Sequence, residues 1–127
     1  IFTRVIHPSA EISPRANLAE GVHVMAGAII QTLATIGVNT IINTRASIDH
    51  ECIIGDHVHI APGATVSGGV EIGDNVLMGA GATIIQGVKL GIHCIVVAGA
   101  VVIRDVPDGA TVMGVPARVV EHHRNQS

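Results

Sequence analysis

A six-residue period runs through most of the chain and restricts its possible folds more than any other feature. From Ile6 to Val102, every sixth residue is aliphatic or methionine, and no insertion or deletion breaks the register. The seventeen positions are Ile6, Ile12, Leu18, Val24, Ile30, Ile36, Ile42, Ile48, Ile54, Ile60, Val66, Ile72, Met78, Ile84, Leu90, Val96 and Val102. Four residues after each comes a smaller side chain, such as Ala10 or Ala28. A period this regular indicates an array of internal repeats.

The length of the period decides between repeat architectures. Six residues fit neither an amphipathic helix nor a long alternating strand. They fit a solenoid in which short β segments, joined by two-residue turns, wind around an aliphatic axis. Turns are expected at pairs such as Pro62-Gly63 and Asp74-Asn75, which contain residues that tolerate positive φ. The strands between turns would be four residues long, as over 58–61.

Composition agrees with a narrow, regular interior. Apolar residues make up 48% of the 127 residues but aromatic residues only 1%, so the core must consist of Ile, Val, Leu and Ala. We expect one all-β domain over residues 1–127, with hexads over 6–107 and a C-terminal tail over 108–127. Residues 122–127 are polar, and we expect them to fray.

Charge and hydropathy exclude several classes of partner. The net charge of -3, with only 7 Lys and Arg, argues against a nucleic-acid surface. The longest run of apolar residues and glycine, Cys94 to Ile103, is half of the ~20 residues that a membrane helix needs, so we expect no membrane insertion. Arg4 and His7 interrupt the start, where a signal peptide would be apolar, so we expect a cytoplasmic protein. The first residue is Ile1 rather than Met, which is consistent with a missing upstream segment.

His50 is the residue most suited to catalysis. It is the only histidine with a carboxylate on both sides in the sequence, Asp49 and Glu51. A neighbouring carboxylate favours the imidazolium form and fixes the ring, so such a histidine is a plausible general base near neutral pH. We favour Glu51 as its partner. The alternative without a catalytic role is a solvated histidine in a turn.

Two stretches of the sequence carry a resemblance to a known family. The hexads follow [LIV]-[GAED]-x-x-[STAV]-x and resemble the hexapeptide-repeat acyltransferases. The segment I-D-H-E-C-I-I-G-D-H-V-H, residues 48–59, looks most like bacterial nucleotide-sugar and sialic-acid acetyltransferases, including those of the bacillosamine type. G-V-P-A-R, residues 114–118, is similar to the ending that follows the last coil in sugar acetyltransferases of this class. The resemblance implies a left-handed parallel β-helix with three hexads per coil, and therefore about six coils.

The resemblance also implies an active site that belongs to two subunits. Residues eighteen apart would stack, so Ile41, His59, Leu77 and Ile95 would form an outward apolar column. We expect that column to be buried in a homotrimer. His50 would lie at the prism edge opposite His59, so only a neighbouring subunit could bring the two together.

Residue roles follow from the same resemblance. His50 resembles the catalytic base and Glu51 the acid that raises its basicity. Gly68, one coil beyond, resembles the residue whose backbone N–H stabilises the oxyanion. Asn43 and His59 resemble polar groups of the opposing subunit that meet the acceptor or the thioester.

Two residues are expected to contact acetyl-CoA, and four others are expected to have structural roles. Ala80 and Ala98 match backbone positions that line the acetyl-CoA arm. His57 and His93 fall in a turn column shared with asparagines and are expected to serve the turn. Both cysteines, which occupy small inward positions, are read as core fillers without a disulfide.

The function that the resemblance implies is acetyl-CoA-dependent transfer to an amino group of a nucleotide-linked sugar, by direct attack on the thioester. Two alternatives stay open: O-acetylation of a sialic-acid-like sugar, and a solenoid without catalysis. A zinc carbonic anhydrase of the γ type needs two histidines five residues apart, and no pair of the eight here has that spacing, so we expect no metal. Bacillosamine-type members also carry an N-terminal nucleotide-binding domain, for which this chain has no room.

Overall fold

The chain folds as a solenoid of short strands. The computed structural model describes residues 3–122. Their regular structure is entirely β, and they contain no helix long and apolar enough to cross a membrane. The strands are β1 (Val5–Ile6), β2 (Glu11–Ile12), β3 (Asn17–Leu18), β4 (His23–Val24), β5 (Ile29–Ile30), β6 (Thr35–Ile36), β7 (Ile41–Ile42), β8 (Ser47–Ile48), β9 (Ile53–Ile54), β10 (His59–Ile60), β11 (Thr65–Val66), β12 (Glu71–Ile72), β13 (Leu77–Met78), β14 (Thr83–Ile84), β15 (Lys89–Leu90), β16 (Ile95–Val96), β17 (Val101–Val102), β18 (Ala110–Met113) and β19 (Arg118–His122).

Three parallel sheets form the sides of a triangular prism. Sheet A has the order β1-β4-β7-β10-β13-β16-β18-β19, sheet B the order β17-β14-β11-β8-β5-β2, and sheet C the order β15-β12-β9-β6-β3. Within sheet A, His59 pairs with Ile41 on one side and Leu77 on the other, eighteen residues away in each direction. The predicted three hexads per coil are therefore confirmed. Successive strands lie in successive sheets, so the turns stack into three edges, which we name AB, BC and CA after the sheets they join.

The periodic aliphatic residues fill the prism. From Val24 to Val102, every one of them is at most 3% exposed. Burying an aliphatic side chain contributes roughly 1.5–3 kcal/mol, so this column is the main source of stability. At the N-terminal end the core is open, because Ile6 is 44% exposed and Ile12 only half-buried.

The strands are shorter than the predicted four residues. Only the middle two of each hexad pair on both sides, as at Ile53 and Ile54. The flanking residues still take part in the ladder, since the Gly55 N–H donates to the Ile72 carbonyl at 2.8 Å. The chain then enters the next turn at once, which ends the strand.

From Gly21 to Gly99, the second residue of every two-residue turn adopts positive φ, including residues for which that conformation is unfavourable. Asn39, Asn75 and several glycines fit the expectation, but Leu33, Arg45 and Glu51 have φ of 62°, 58° and 60°. A left-handed conformation costs a residue with a side chain roughly 1–2 kcal/mol. Stacking between coils supplies the compensation, because the Glu51 N–H donates to the Thr32 carbonyl of the coil below at 3.0 Å.

Aspartates link successive coils along edge CA. Asp56 Oδ1 accepts the Val38 N–H at 2.7 Å, and Asp74 Oδ1 accepts the Asp56 N–H at 2.8 Å. A Cβ on Gly55 would collide with Asp74 Oδ1. A carboxylate oxygen of the next coil likewise fills the space beside Gly37 and Gly91, whereas beside Gly73 that space is taken by Ile92 and Gly91.

The last coil departs from the predicted register. Val106 pairs with Leu90, and Val112 with Val96, sixteen residues away rather than eighteen. The prediction that hexads continue to residue 107 is therefore wrong, because the connection after Val102 is two residues shorter than a hexad.

The C-terminal segment is also more ordered than expected. β18 extends sheet A, and β19 pairs with β18 in antiparallel fashion. Fraying from His122 onwards is wrong for His122 itself, whose Nε2 donates to the Asp108 carbonyl at 2.8 Å. The rest of the predicted frayed end, 123–127, lies outside the described residues.

Candidate active site

The turn at residues 50–51 on edge BC holds an ordered imidazole. It connects β8 of sheet B to β9 of sheet C. His50 Nδ1 lies 3.2 Å from Glu51 Oε1. A carboxylate can only accept, so Nδ1 carries a hydrogen, and in the neutral ring the lone pair is therefore on Nε2. That tautomer is the one a general base requires.

The two acidic neighbours of His50 have different tasks. Asp49 Oδ1 accepts the His50 backbone N–H at 2.7 Å, whereas Glu51 holds the ring. The prediction that Glu51 rather than Asp49 partners the imidazole agrees with this geometry. The side chains of His50 and Glu51 are 48% and 64% exposed, so solvent screens the pair. Its effect is to orient the ring, and it adds little to stability.

Gly68 lies directly beside the other ring nitrogen. A Cβ built on Gly68 would stand 2.6 Å from His50 Nε2. The Gly68 carbonyl accepts the Gly87 N–H at 3.0 Å, but within residues 3–122 the Gly68 N–H has no acceptor. A lone pair and an unused backbone donor are therefore close together at this edge.

A second polar pair lies on sheet A. Asn43 Oδ1 accepts the Thr44 N–H at 2.7 Å, which leaves its amide nitrogen to face His59 Nε2 at 3.3 Å. The amide donates, so His59 Nε2 accepts and the ring proton is on Nδ1. The sequence named both residues but did not show that they contact each other.

The predicted acetyl-CoA positions lie on a third part of the surface. Ala80 and Ala98 are first residues of stacked, exposed turns on edge AB, and the Gly99 N–H donates to the Ala80 carbonyl at 2.9 Å. Edge AB borders sheet A. The candidate residues of one chain thus form two separate groups, which we name the base half-site (His50, Glu51, Gly68), on edge BC, and the opposing half-site (Asn43, His59, Ala80, Ala98), on sheet A and edge AB.

Comparison with known proteins identifies the repeat. Residues 33–68 match the family described as bacterial transferase hexapeptide (six repeats). We therefore describe the chain as a hexapeptide-repeat protein, after this match and the six-residue spacing of its strands. The predicted resemblance, including the left-handed β-helix, is confirmed.

Solved structures of sugar acetyltransferases share the fold of this hexapeptide-repeat protein. PerB from Caulobacter crescentus, in complex with CoA and GDP-perosamine, is 45% identical with a TM-score of 0.94, over 94% of this chain and 58% of that chain. The acetyltransferase domain of PglB from Neisseria gonorrhoeae FA1090 is 40% identical with a TM-score of 0.93, over 94% and 58%. WeeI from Acinetobacter baumannii AYE is 33% identical with a TM-score of 0.89, over 91% and 57%. The chain therefore spans less than two thirds of the length of these proteins.

The thiols of the hexapeptide-repeat protein are structural. Cys52 Sγ donates to the Ser67 carbonyl and Cys94 Sγ to the Pro107 carbonyl, each at 3.0 Å. Burial raises the pKa of both thiols, so neither is an activated nucleophile. The part of the chain that the structure describes contains no cluster of three or more His, Cys, Asp or Glu that could hold a metal ion.

Two surface grooves of the described residues lie away from His50. One, of about 530 Å³, lies over sheet C and is lined by Ile53, Glu71 and Lys89 among others. Another, of about 540 Å³, surrounds Arg45 on edge AB. His50 stands at a convex edge, outside both grooves, with about half of its side chain exposed.

Proposed function

We propose that this hexapeptide-repeat protein is an acetyltransferase that transfers acetyl from acetyl-CoA to an amino group of a nucleotide-linked sugar. The observation that carries the proposal is the arrangement on edge BC, where Glu51 fixes the Nδ1–H tautomer of His50 and Nε2 lies beside Gly68, whose N–H has no acceptor within residues 3–122. The relatives support the substrates, since PerB was solved with CoA and GDP-perosamine and the PglB domain with acetyl coenzyme A.

The two groups on edge BC suit direct transfer. His50 Nε2 takes the proton from the sugar amine as its nitrogen attacks the thioester carbonyl. The Gly68 N–H donates to the oxyanion that forms, and when the C–S bond breaks, the imidazolium returns the proton to the CoA sulfur. General base catalysis contributes typically ~10²–10⁴ in rate. A well-placed oxyanion donor contributes about 2.7–4 kcal/mol.

The complete site requires a neighbouring copy of the chain, and the proposed assembly is a homotrimer. Sheet A carries a partly exposed apolar column, with Leu77 52% exposed and Ile41 and Ile95 half-buried. Packing this column against another subunit would bury it and bring the opposing half-site to edge BC. His59, with its proton on Nδ1, would then offer a donor to the acceptor or the thioester.

The deciding experiment measures CoA release with nucleotide-linked amino sugars and with sialic-acid-type hydroxyl acceptors, and identifies each product by mass. We expect N-acetylation, and a fall in kcat of ~10²–10⁴-fold for His50→Ala. His57→Ala is the matched control, since His57 is also an exposed turn histidine next to an aspartate, and we expect it to keep activity.

Each other outcome has a distinct meaning. Acetylation of hydroxyl acceptors alone would make the protein an O-acetyltransferase. No turnover on any acceptor would favour a non-catalytic solenoid. Equal kcat for the parent and His50→Ala would remove His50 from the mechanism.

A further inference from the structure

The backbone conformation of Gly68 does not by itself require a glycine. Its φ lies outside the left-handed region, whereas the next residue, Gly69, has φ of +66°. Gly68 is the first residue of its turn, a position that accepts side chains elsewhere. Gln86 holds that position one coil further along edge BC, and Ala80 holds it on edge AB.

The reason lies in the coil below. Other glycines outside the left-handed region are constrained by stacking: a Cβ on Gly73 or Gly79 would meet backbone atoms of the next coil. At Gly68, by contrast, the three nearest atoms all belong to the His50 ring, with Nε2 at 2.6 Å, Cε1 at 2.7 Å and Cδ2 at 3.3 Å. The space that a side chain would fill is occupied by the imidazole.

Burial points the same way. The first turn residue is partly or fully exposed at every other turn from residue 8 to residue 104. Only Gly68 is buried at this position, although it stands at an edge of the prism. The His50 ring covers it.

We propose that Gly68 is a positioning residue for His50. The space left by its missing side chain, which we call the seat, holds the imidazole ring. Glu51 accepts the hydrogen on Nδ1, and the absence of a Cβ at Gly68 lets Nε2 approach the backbone of Gly68. This task is separate from the oxyanion role, because an alanine at position 68 would keep the N–H and lose only the seat. The catalytic meaning of the seat rests on the proposed function, whereas the seat itself does not.

The geometry predicts how Gly68→Ala acts. A Cβ at 2.6 Å from Nε2 cannot coexist with the ring, but the ring is half-exposed and can swing into solvent. The fold should therefore survive while the imidazole leaves Glu51. His50 should lose its fixed tautomer, and kcat should fall at least tenfold.

A double-mutant cycle isolates the seat without measuring activity. Gly68→Ala is introduced into the parent and into His50→Ala, and the folding equilibrium constant is measured by urea denaturation. Where no ring competes for the space, replacing glycine by alanine reduces the entropy of the unfolded chain. We expect it to raise the constant about two- to fivefold in the His50→Ala background. In the parent, the gain should vanish or reverse.

Nitrogen-15 shifts of the His50 ring give the second measurement. In the parent we expect the Nδ1–H tautomer, and in Gly68→Ala a mixture of both tautomers. Gln86→Ala is the matched control on the same edge and should leave the shifts unchanged. A parent enzyme without acetyltransferase activity would defeat the proposed function, yet the cycle and the shifts would still decide the seat.

The proposal is overturned by either of two results. The first is an equal gain from Gly68→Ala in both backgrounds together with an unchanged tautomer. The second is unfolding of Gly68→Ala in both backgrounds, which would mean that the backbone, and not the imidazole, needs glycine there.

Discussion

At the scale of single residues, the pairing of His50 with Glu51 depends on a turn. Adjacent side chains in a strand point to opposite faces, so neighbours in sequence rarely contact each other there. Here both residues occupy turn positions, and Glu51 adopts φ of 60°. The carboxylate thereby reaches Nδ1 of the preceding residue. An unfavourable backbone conformation at a candidate catalytic residue is thus part of what orients the base.

Replacement of Glu51 by glutamine tests this orientation. The amide keeps the length of the side chain but removes the carboxylate that fixes the ring and stabilises the imidazolium formed during transfer. We expect kcat to fall, by less than the ~10²–10⁴-fold loss for His50→Ala, because the base itself remains. Steady-state kinetics would measure the change. Asp49→Asn is the control: its oxygen can still accept the His50 backbone N–H, and a larger loss there than in Glu51→Gln would make Asp49 the partner.

At the scale of secondary-structure elements, two-residue strands are too short to be stable alone. Hydrogen bonds between the turns contribute part of the stability. On edge CA, each aspartate satisfies a backbone N–H of the coil below, as Asp74 does for Asp56. These bonds join turns eighteen residues apart. They add to the backbone hydrogen bonds between the same turns, such as that from the Asn75 N–H to the Asp56 carbonyl at 2.9 Å.

Asp74→Ala should therefore weaken the stacking of two coils. The variant loses the acceptor of the Asp56 N–H, and a hydrogen bond of this kind contributes about 1 kcal/mol or somewhat more because the acceptor is charged. Urea denaturation should show a loss of that order in the free energy of unfolding. Asp74→Asn keeps an acceptor oxygen and should lose less, whereas equal losses would mean that the bond is not the source.

At the scale of the whole molecule, the proposed site exists only between copies of the chain. His50 lies where sheets B and C meet, and His59 lies on sheet A, across the prism. The core separates them. Assembly would therefore control activity, and a monomeric variant should retain its fold but lose transfer.

Leu77→Asp tests the assembly. Leu77 is 52% exposed on sheet A, and a charge placed there would be buried without a partner in the proposed trimer. We expect sedimentation to change from trimer to monomer, with loss of CoA release. Ile53→Asp is a close control, since Ile53 is 53% exposed on sheet C. Dissociation by Ile53→Asp and not by Leu77→Asp would place the interface on the other face.

Most of the fold could be predicted because the six-residue period is visible in the types of the side chains. An aliphatic residue at every sixth position specifies its own burial, so the core, the turns and the eighteen-residue stacking followed from residue order and the family resemblance. The shortened last coil could not be predicted, because Val106 also fits a regular hexad, in which a small apolar residue follows four residues after Val102. The pairing of Val106 with Leu90 and of Val112 with Val96 reveals the shift.

The sequence by itself determined the aliphatic axis, the candidate base His50 and its acidic neighbours. The tertiary structure decided the contact of Glu51 with the ring, that Asn43 bonds His59, and that the His50 ring fills the space beside Gly68. The division has a physical cause: burial follows from the type of each side chain, whereas a contact between residues sixteen or eighteen apart depends on how one coil settles on the next.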